Sequence, residues 1–195
     1  MKTHLRLRRF EGIEFEVYEM ARRGISEGSR KKFVVREIAR DVFLTHFPSG
    51  GRLTVEGERI ANHIFFGGFA AAEELDWGVE KAVKHLAVGL LLGIRESGGD
   101  FFTGTRIAVR SAIQCTLQTH YELDKVAEGV IGALLRLGQN QGCNLDWLKK
   151  LLSDTAIEAV RSFEDSEIAQ MERMLMRLLT SPVHCDTESC YWQSA

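Results

Sequence analysis

From Val79 onward the apolar positions follow a helical rhythm. Val79, Val83, Leu86, Leu90 and Ile94 fall on one stripe. Ile107, Val109, Ala112, Ile113 and Leu117 form a second, beyond Gly98 and Gly99. This spacing predicts a helix, a glycine-containing turn and a second helix. The pattern then repeats. Val79–Phe101 overlays Leu123–Leu145 without a gap at an offset of 44, placing Lys81 on Lys125, Leu90 on Leu134, Leu91 on Leu135, Gly98 on Gly142 and Asp100 on Asn144. The register continues through Ile107 on Leu151, Ala112 on Ala156 and Ile113 on Ile157. A looser copy lies upstream at an offset of 48, with Ile38, Val42 and Phe43 in the places of Leu86, Leu90 and Leu91. There Gly50-Gly51-Arg52-Leu53 stands for Gly98-Gly99-Asp100-Phe101.

The expected fold is mainly all-α: tandem helical hairpins with a period near 44 residues, forming a bundle or short solenoid, after a short N-terminal β segment. Three units are expected at about 30–74, 78–119 and 122–163. Ser166–Leu179 would close the array as a capping helix, with Ile168, Met171, Leu175 and Leu178 inward. The organisation expected is a basic segment at 1–29, a hairpin-repeat domain at 30–180 and a loose tail at 181–195. A repeat of this length suits armadillo-like or HEAT-like arrays, but the chain carries no motif of those families. Asp100 and Asn144 are good residues to cap a helix start. The turn glycines stand where a helix end favours a left-handed residue. Gly67, Gly68, Gly89, Gly93, Gly129 and Gly132 lie inside expected helices, where each costs roughly 1 kcal/mol against alanine. Tight packing of neighbouring helices in the hairpins is the expected compensation.

The first eighteen residues break the helical rhythm. Leu5-Arg6-Leu7-Arg8 alternates with period two. One reading is a hairpin around Phe10-Glu11-Gly12, pairing Leu7 with Phe15, Leu5 with Val17, Arg8 with Glu14 and Arg6 with Glu16. Another is a strand at His4–Arg9, a helix at Gly12–Arg23 with Ile13, Val17, Met20 and Ala21 inward, and a turn at Gly24-Ile25-Ser26. A second helix from Ser29 would follow, with Val34, Val35, Ile38 and Val42 inward. In this second form, the strand Leu-Arg-Leu-Arg, the helix end Met-Ala-Arg-Arg-Gly-Ile-Ser and the amphipathic helix after it resemble the ribbon-helix-helix DNA-binding family. The resemblance covers about forty residues. It implies two subunits pairing strands into a ribbon in the DNA major groove. His4, Arg6 and Arg8 would then face the bases, and Arg30, Lys31 and Lys32 the phosphates. The chain departs from the family in carrying Gly12 within the first helix and polar residues at 30–32, where the family turns apolar residues inward.

Charge sharpens this picture. The net charge of −2 conceals eleven Lys/Arg against six Asp/Glu in residues 1–40, and fourteen against twenty-one in the rest. A basic head on an acidic body suits a polyanion partner, or contact between head and body of two subunits. The first ten residues lack an apolar segment of the secretory kind. The longest uncharged runs, Ile64–Ala72 and Leu86–Ile94, are too short to span a bilayer. Four scattered cysteines do not make a disulfide framework, so a cytoplasmic location is expected.

Candidate chemistry is sparse. Gly24-Ile25-Ser26-Glu27-Gly28 fits the spacing of a nucleophile elbow, but an arginine-rich segment precedes it and no strand–helix alternation surrounds it, so a loop is expected. His46, His63, His85 and His120 could meet inside a bundle, yet none stands three residues after a glutamate, as bundle di-iron sites require. His184, Cys185 and Cys190 offer three soft ligands in the tail, one fewer than a structural zinc site takes. No phosphate-binding glycine motif is present. The expectation is a non-catalytic helical interaction or scaffold protein with no cofactor, acting on a protein partner or on itself. The alternative is a dimeric DNA-binding regulator with a basic N-terminal ribbon and a helical body.

Overall fold

A computed structural model of the protein describes residues 12–27, 31–47, 52–161 and 165–180. They form α1 (Ile13–Glu27), α2 (Lys31–His46), α3 (Leu53–Glu74), α4 (Val79–Glu96), α5 (Phe101–Thr119), α6 (Leu123–Asn140), α7 (Leu145–Val160) and α8 (Asp165–Thr180). Among the described residues there is no strand, and no helix is long and apolar enough to cross a membrane.

Short turns make successive helices antiparallel. Each helix also packs on the one two places along: α1, α3, α5 and α7 lie side by side, as do α2, α4, α6 and α8. The two layers enclose one apolar core that runs from Val17, Ala21 and Ile25 of α1 to Met171, Met174 and Leu175 of α8. The predicted inward stripes of α4 and α5 are buried, apart from half-buried Val79 and Leu117 at their ends. Met171 and Leu175 of the expected capping helix are buried, and Ile168 and Leu178 are half-buried.

The turns after α4 and α6 close alike. Gly98 and Gly142 have φ of 87° and 71°, left-handed values that favour glycine. The Gly99 N–H donates to Ile94 O at 2.8 Å, and the Cys143 N–H to Gly138 O at 2.9 Å. Asp100 then caps α5 by accepting from the Phe102 and Thr103 N–H groups, both at 2.9 Å, and Asn144 caps α7 by accepting from the Trp147 N–H at 3.0 Å. The side-chain and backbone bonds to Thr103 lower the Asp100 pKa, and burial opposes them only in part. Because this pKa is depressed on folding, the cap stabilises the protein above the ordinary aspartate range and is lost as pH falls through the folded value. Asp100→Ala should therefore cost about 1 kcal/mol at neutral pH. Urea unfolding as a function of pH should show that difference shrinking below about pH 4.

Four N-terminal expectations are corrected. Ile13–Val17, the second arm of the hairpin, is the first part of α1. The expected turn at Gly24-Ile25-Ser26 is helical, and the Ser26 hydroxyl donates to Arg22 O at 2.7 Å. Continuing the helix carries Ile25 into the core at the same four-residue spacing as Val17 and Ala21. Met20 lies off that stripe and is 39% exposed. Helical Ser26 also removes the loop expected for the Gly-x-Ser-x-Gly match. The expected strand at His4–Arg9 lies outside the described residues.

The helix glycines do mark close approaches, mostly between parallel helices of one layer rather than within hairpins. A Cβ on Gly67 would meet the backbone of α1, and one on Gly89 the backbone of α2 at Arg36. At Gly129 it would stand 2.6 Å from Val83 Cγ1 and 3.2 Å from Glu80 O of α4. Gly68, facing Leu86 of α4, marks an approach between successive helices of neighbouring units. Gly132 departs from the pattern: among the described residues, nothing beyond its own stretch of helix backbone lies within 4 Å of the added carbon.

Candidate interaction surface

The histidines do not assemble into one centre. The His63 ring contacts buried Glu14 at 3.0 Å, and His46 contacts Glu16 at 2.7 Å, so each ties α1 to a neighbouring helix. His85 stacks on Trp77 with centroids 6.0 Å apart. His120 ends α5 in a left-handed conformation. Among the described residues no group of three or more His, Cys, Asp or Glu is arranged to hold a metal. His4, Arg6, Arg8 and Arg30, and the tail ligands His184, Cys185 and Cys190, lie outside the described residues. Lys31 and Lys32 begin α2.

A polar depression of about 270 Å³ opens where the α5–α6 turn meets the start of α4, lined in part by Glu80, His120, Tyr121 and Lys125. Two of its polar side chains are held by neighbours. Lys125 pairs with Glu122 at 2.9 Å, and the Tyr121 hydroxyl donates to Glu73 at 2.6 Å. Burial first, and then the bond to Glu73, raise the Tyr121 pKa far above the ordinary phenol range. The phenol is thus a neutral donor and not a base. Tyr18 does the same from the other side, donating to Glu74, with its pKa raised to about 12 mainly by burial. The two tyrosines fasten the end of α3 to its neighbours.

The outer face of the α3–α5–α7 layer is different. Phe102 and Trp147 stand in the first turns of α5 and α7, each anchored by its own N-cap. Their rings meet edge to face at 4.1 Å between centroids, yet they remain 39% and 47% exposed. Val55, in the first turn of α3, is 64% exposed. Scattered exposed apolar residues are ordinary, but two large rings in contact with each other and open to water form a patch. Arg52, Arg59 and Arg106 are exposed on the same two helices, α3 and α5, or at their start. About a turn beyond Arg106, Arg110 bridges all three helices, donating to Glu58 at 3.0 Å and to Glu158 at 2.8 Å.

Neither aromatic ring was singled out in the sequence. The available signal was a large apolar residue off the inner stripe, two places after the cap Asp100 in one helix and three after the cap Asn144 in the other. Losing both rings should do little to the fold. Phe102→Ala with Trp147→Ala should cost about 1–2 kcal/mol, the value of an aromatic pair plus partial burial. The far-UV circular dichroism spectrum should be unchanged.

Two antiparallel layers of helices around one elongated core define an all-α fold of the helical-repeat kind. No protein-family model matches the chain, and no curated protein matches it. Among solved structures, it is similar to the crystal structure of the de novo designed helical repeat protein DHR7. The TM-score is 0.53 at 16% identity, covering 86% of this chain and 92% of that one. At that identity the likeness concerns the fold alone.

Proposed function

We propose that this protein is a non-catalytic helical scaffold that works through its outer surface, on a protein partner or on a second copy of itself. The observation that carries this reading is the exposed Phe102–Trp147 pair, held on rigid capped helices and left open to water. Solvent-facing aromatic anchors are what interfaces use as hot spots. The element boundaries support an origin by duplication of a helix–turn–helix unit. The starts of α4 and α6 (Val79 and Leu123) are 44 residues apart, as are those of α5 and α7 (Phe101 and Leu145). The starts of α3 and α5 (Leu53 and Phe101) are 48 apart. Stacked units of this kind bury their apolar faces against one another and leave extended outer faces free for binding.

The test is site-specific photocrosslinking in cells, with the crosslinking residue at position 55. A discrete adduct is expected that disappears when Phe102→Ala and Trp147→Ala are combined in a protein of unchanged helicity. Two results would overturn the proposal. One is steady turnover by the pure protein that a single polar substitution abolishes. The other is duplex-DNA binding that weakens steeply with salt and is lost in Arg6→Ala with Arg8→Ala.

A further inference from the structure

We infer that this outer surface takes an acidic segment of a partner protein that carries an aromatic or aliphatic anchor; the inference rests on the scaffold reading above. The reason is the charge left over on the face. Around the patch most charges are already paired. Arg110 holds Glu58 and Glu158, Lys150 holds Asp154, and the Asp100 carboxylate accepts two backbone N–H groups. Among the described residues, Arg52, Arg59 and Arg106 hold no carboxylate. Arg59 lies four residues after Val55, and Arg106 four after Phe102. On a helix that spacing puts each guanidinium on the same face as its apolar neighbour. Adjacent helices therefore present an apolar group followed by a free cation, and Trp147 extends the apolar row onto α7. Such a row complements carboxylates spaced around a bulky apolar side chain. Arginine suits it, because its planar fork grips a carboxylate with two parallel bonds.

A nucleic-acid strand also pairs phosphates with stacked rings. It fits this face less well. Exposed Asp146 adjoins Trp147, and no ion pair holds it among the described residues. A continuous run of phosphates stacked on both rings would cross this carboxylate, whereas a short acidic segment can set its apolar anchor there and keep its carboxylates on the three arginines.

The test uses the full chain and three fluorescein-labelled probes in fluorescence anisotropy. The first is a peptide in which pairs of Glu flank Trp and Leu, the second is the same peptide with Lys for Glu, and the third is oligo-dT. The Glu peptide should bind, and more weakly as salt rises. Its affinity should fall about tenfold in Phe102→Ala with Trp147→Ala, and about tenfold in Arg59→Glu with Arg106→Glu. The Lys peptide should bind at least about tenfold more weakly than the Glu peptide. Equal binding of the Lys peptide overturns the inference. So does Glu-peptide binding untouched by either variant, absence of binding at millimolar peptide, or oligo-dT binding that the arginine substitutions abolish. If the crosslink at position 55 persists while the Glu peptide fails, the surface stands and its assigned chemistry falls. If both fail, the scaffold reading falls with it.

Discussion

Gly89→Ala should destabilise the protein by about 2–3 kcal/mol, although alanine is the better helix former by roughly 1 kcal/mol. Gly89 is buried in α4, and a Cβ there would overlap the carbonyl of Arg36 and stand 2.9 Å from Ala39 Cβ. Both obstacles belong to the backbone or to the stub of a side chain in α2. No rotamer change can clear them, so the helices must separate. Separation would loosen the packing of Val35, Ala39, Val42 and Phe43, all buried in the same core. The comparison variant is Gly132→Ala. It adds the same methyl group at a helix position where, among the described residues, nothing beyond the local helix backbone lies within 4 Å, and it should stabilise by about 0.5–1 kcal/mol. Urea unfolding of the two variants against wild type reads both signs. If Gly89→Ala is neutral or stabilising, α2 and α4 do not approach as described.

Phe69→Ala should cost about 4 kcal/mol, in the middle of the range for a buried aromatic ring. Phe69 is fully buried in α3. Its ring meets Phe65 at 5.7 Å and Tyr121 at 5.8 Å, in both cases edge to face. Removing it forfeits the transfer of the ring from water and leaves a cavity. Long helices on either side restrict its collapse. The loss also frees one side of Tyr121, whose hydroxyl holds Glu73 near the end of α3. Phe69→Leu, which keeps most of the volume, should cost under half as much as the alanine change. Because repeat arrays can unfold in parts, hydrogen exchange should accompany the denaturation curve. Protection should fall first at the α3–α5 contact. A loss below about 1 kcal/mol for Phe69→Ala would mean that this ring is not enclosed as described.

Much of the fold was legible because helical packing writes its period into the chain. Leu86, Leu90 and Ile94, or Val126, Val130 and Leu134, must return to the same side of a helix if that side alone is to leave water. The turns were legible for a local reason. Gly98 and Gly142 take up a left-handed backbone, and Asp100 and Asn144 close the next helix start, all within a few residues. The start of the chain was less legible. Alternation in Leu5–Arg8 invited a hairpin across Ile13–Val17, and Gly24 invited a turn. Yet α1 runs on to Glu27, because burial of Ile25 on α1's inner face outweighs a glycine's modest helix penalty. Such a balance depends on what α2 and α3 supply, so it could not be read locally.

The candidate surface was hidden for the same reason. Phe102 and Trp147 are 45 residues apart in the chain, and only the side-by-side placement of α5 and α7 brings their rings together. Arg110 reaches across to Glu58 and Glu158 by the same placement, and among the described residues Arg59 and Arg106 hold no carboxylate. The amino-acid order alone determined where the helices of the repeat lie, how their turns close and which sides are oily, because those features arise from contacts a few residues apart. Tertiary structure decided that helices pack two places along as well as one, that certain glycines are points of backbone approach, and which apolar and cationic side chains stay facing water. Those outcomes turn on distances between segments far apart in the chain, and only the folded arrangement sets such distances.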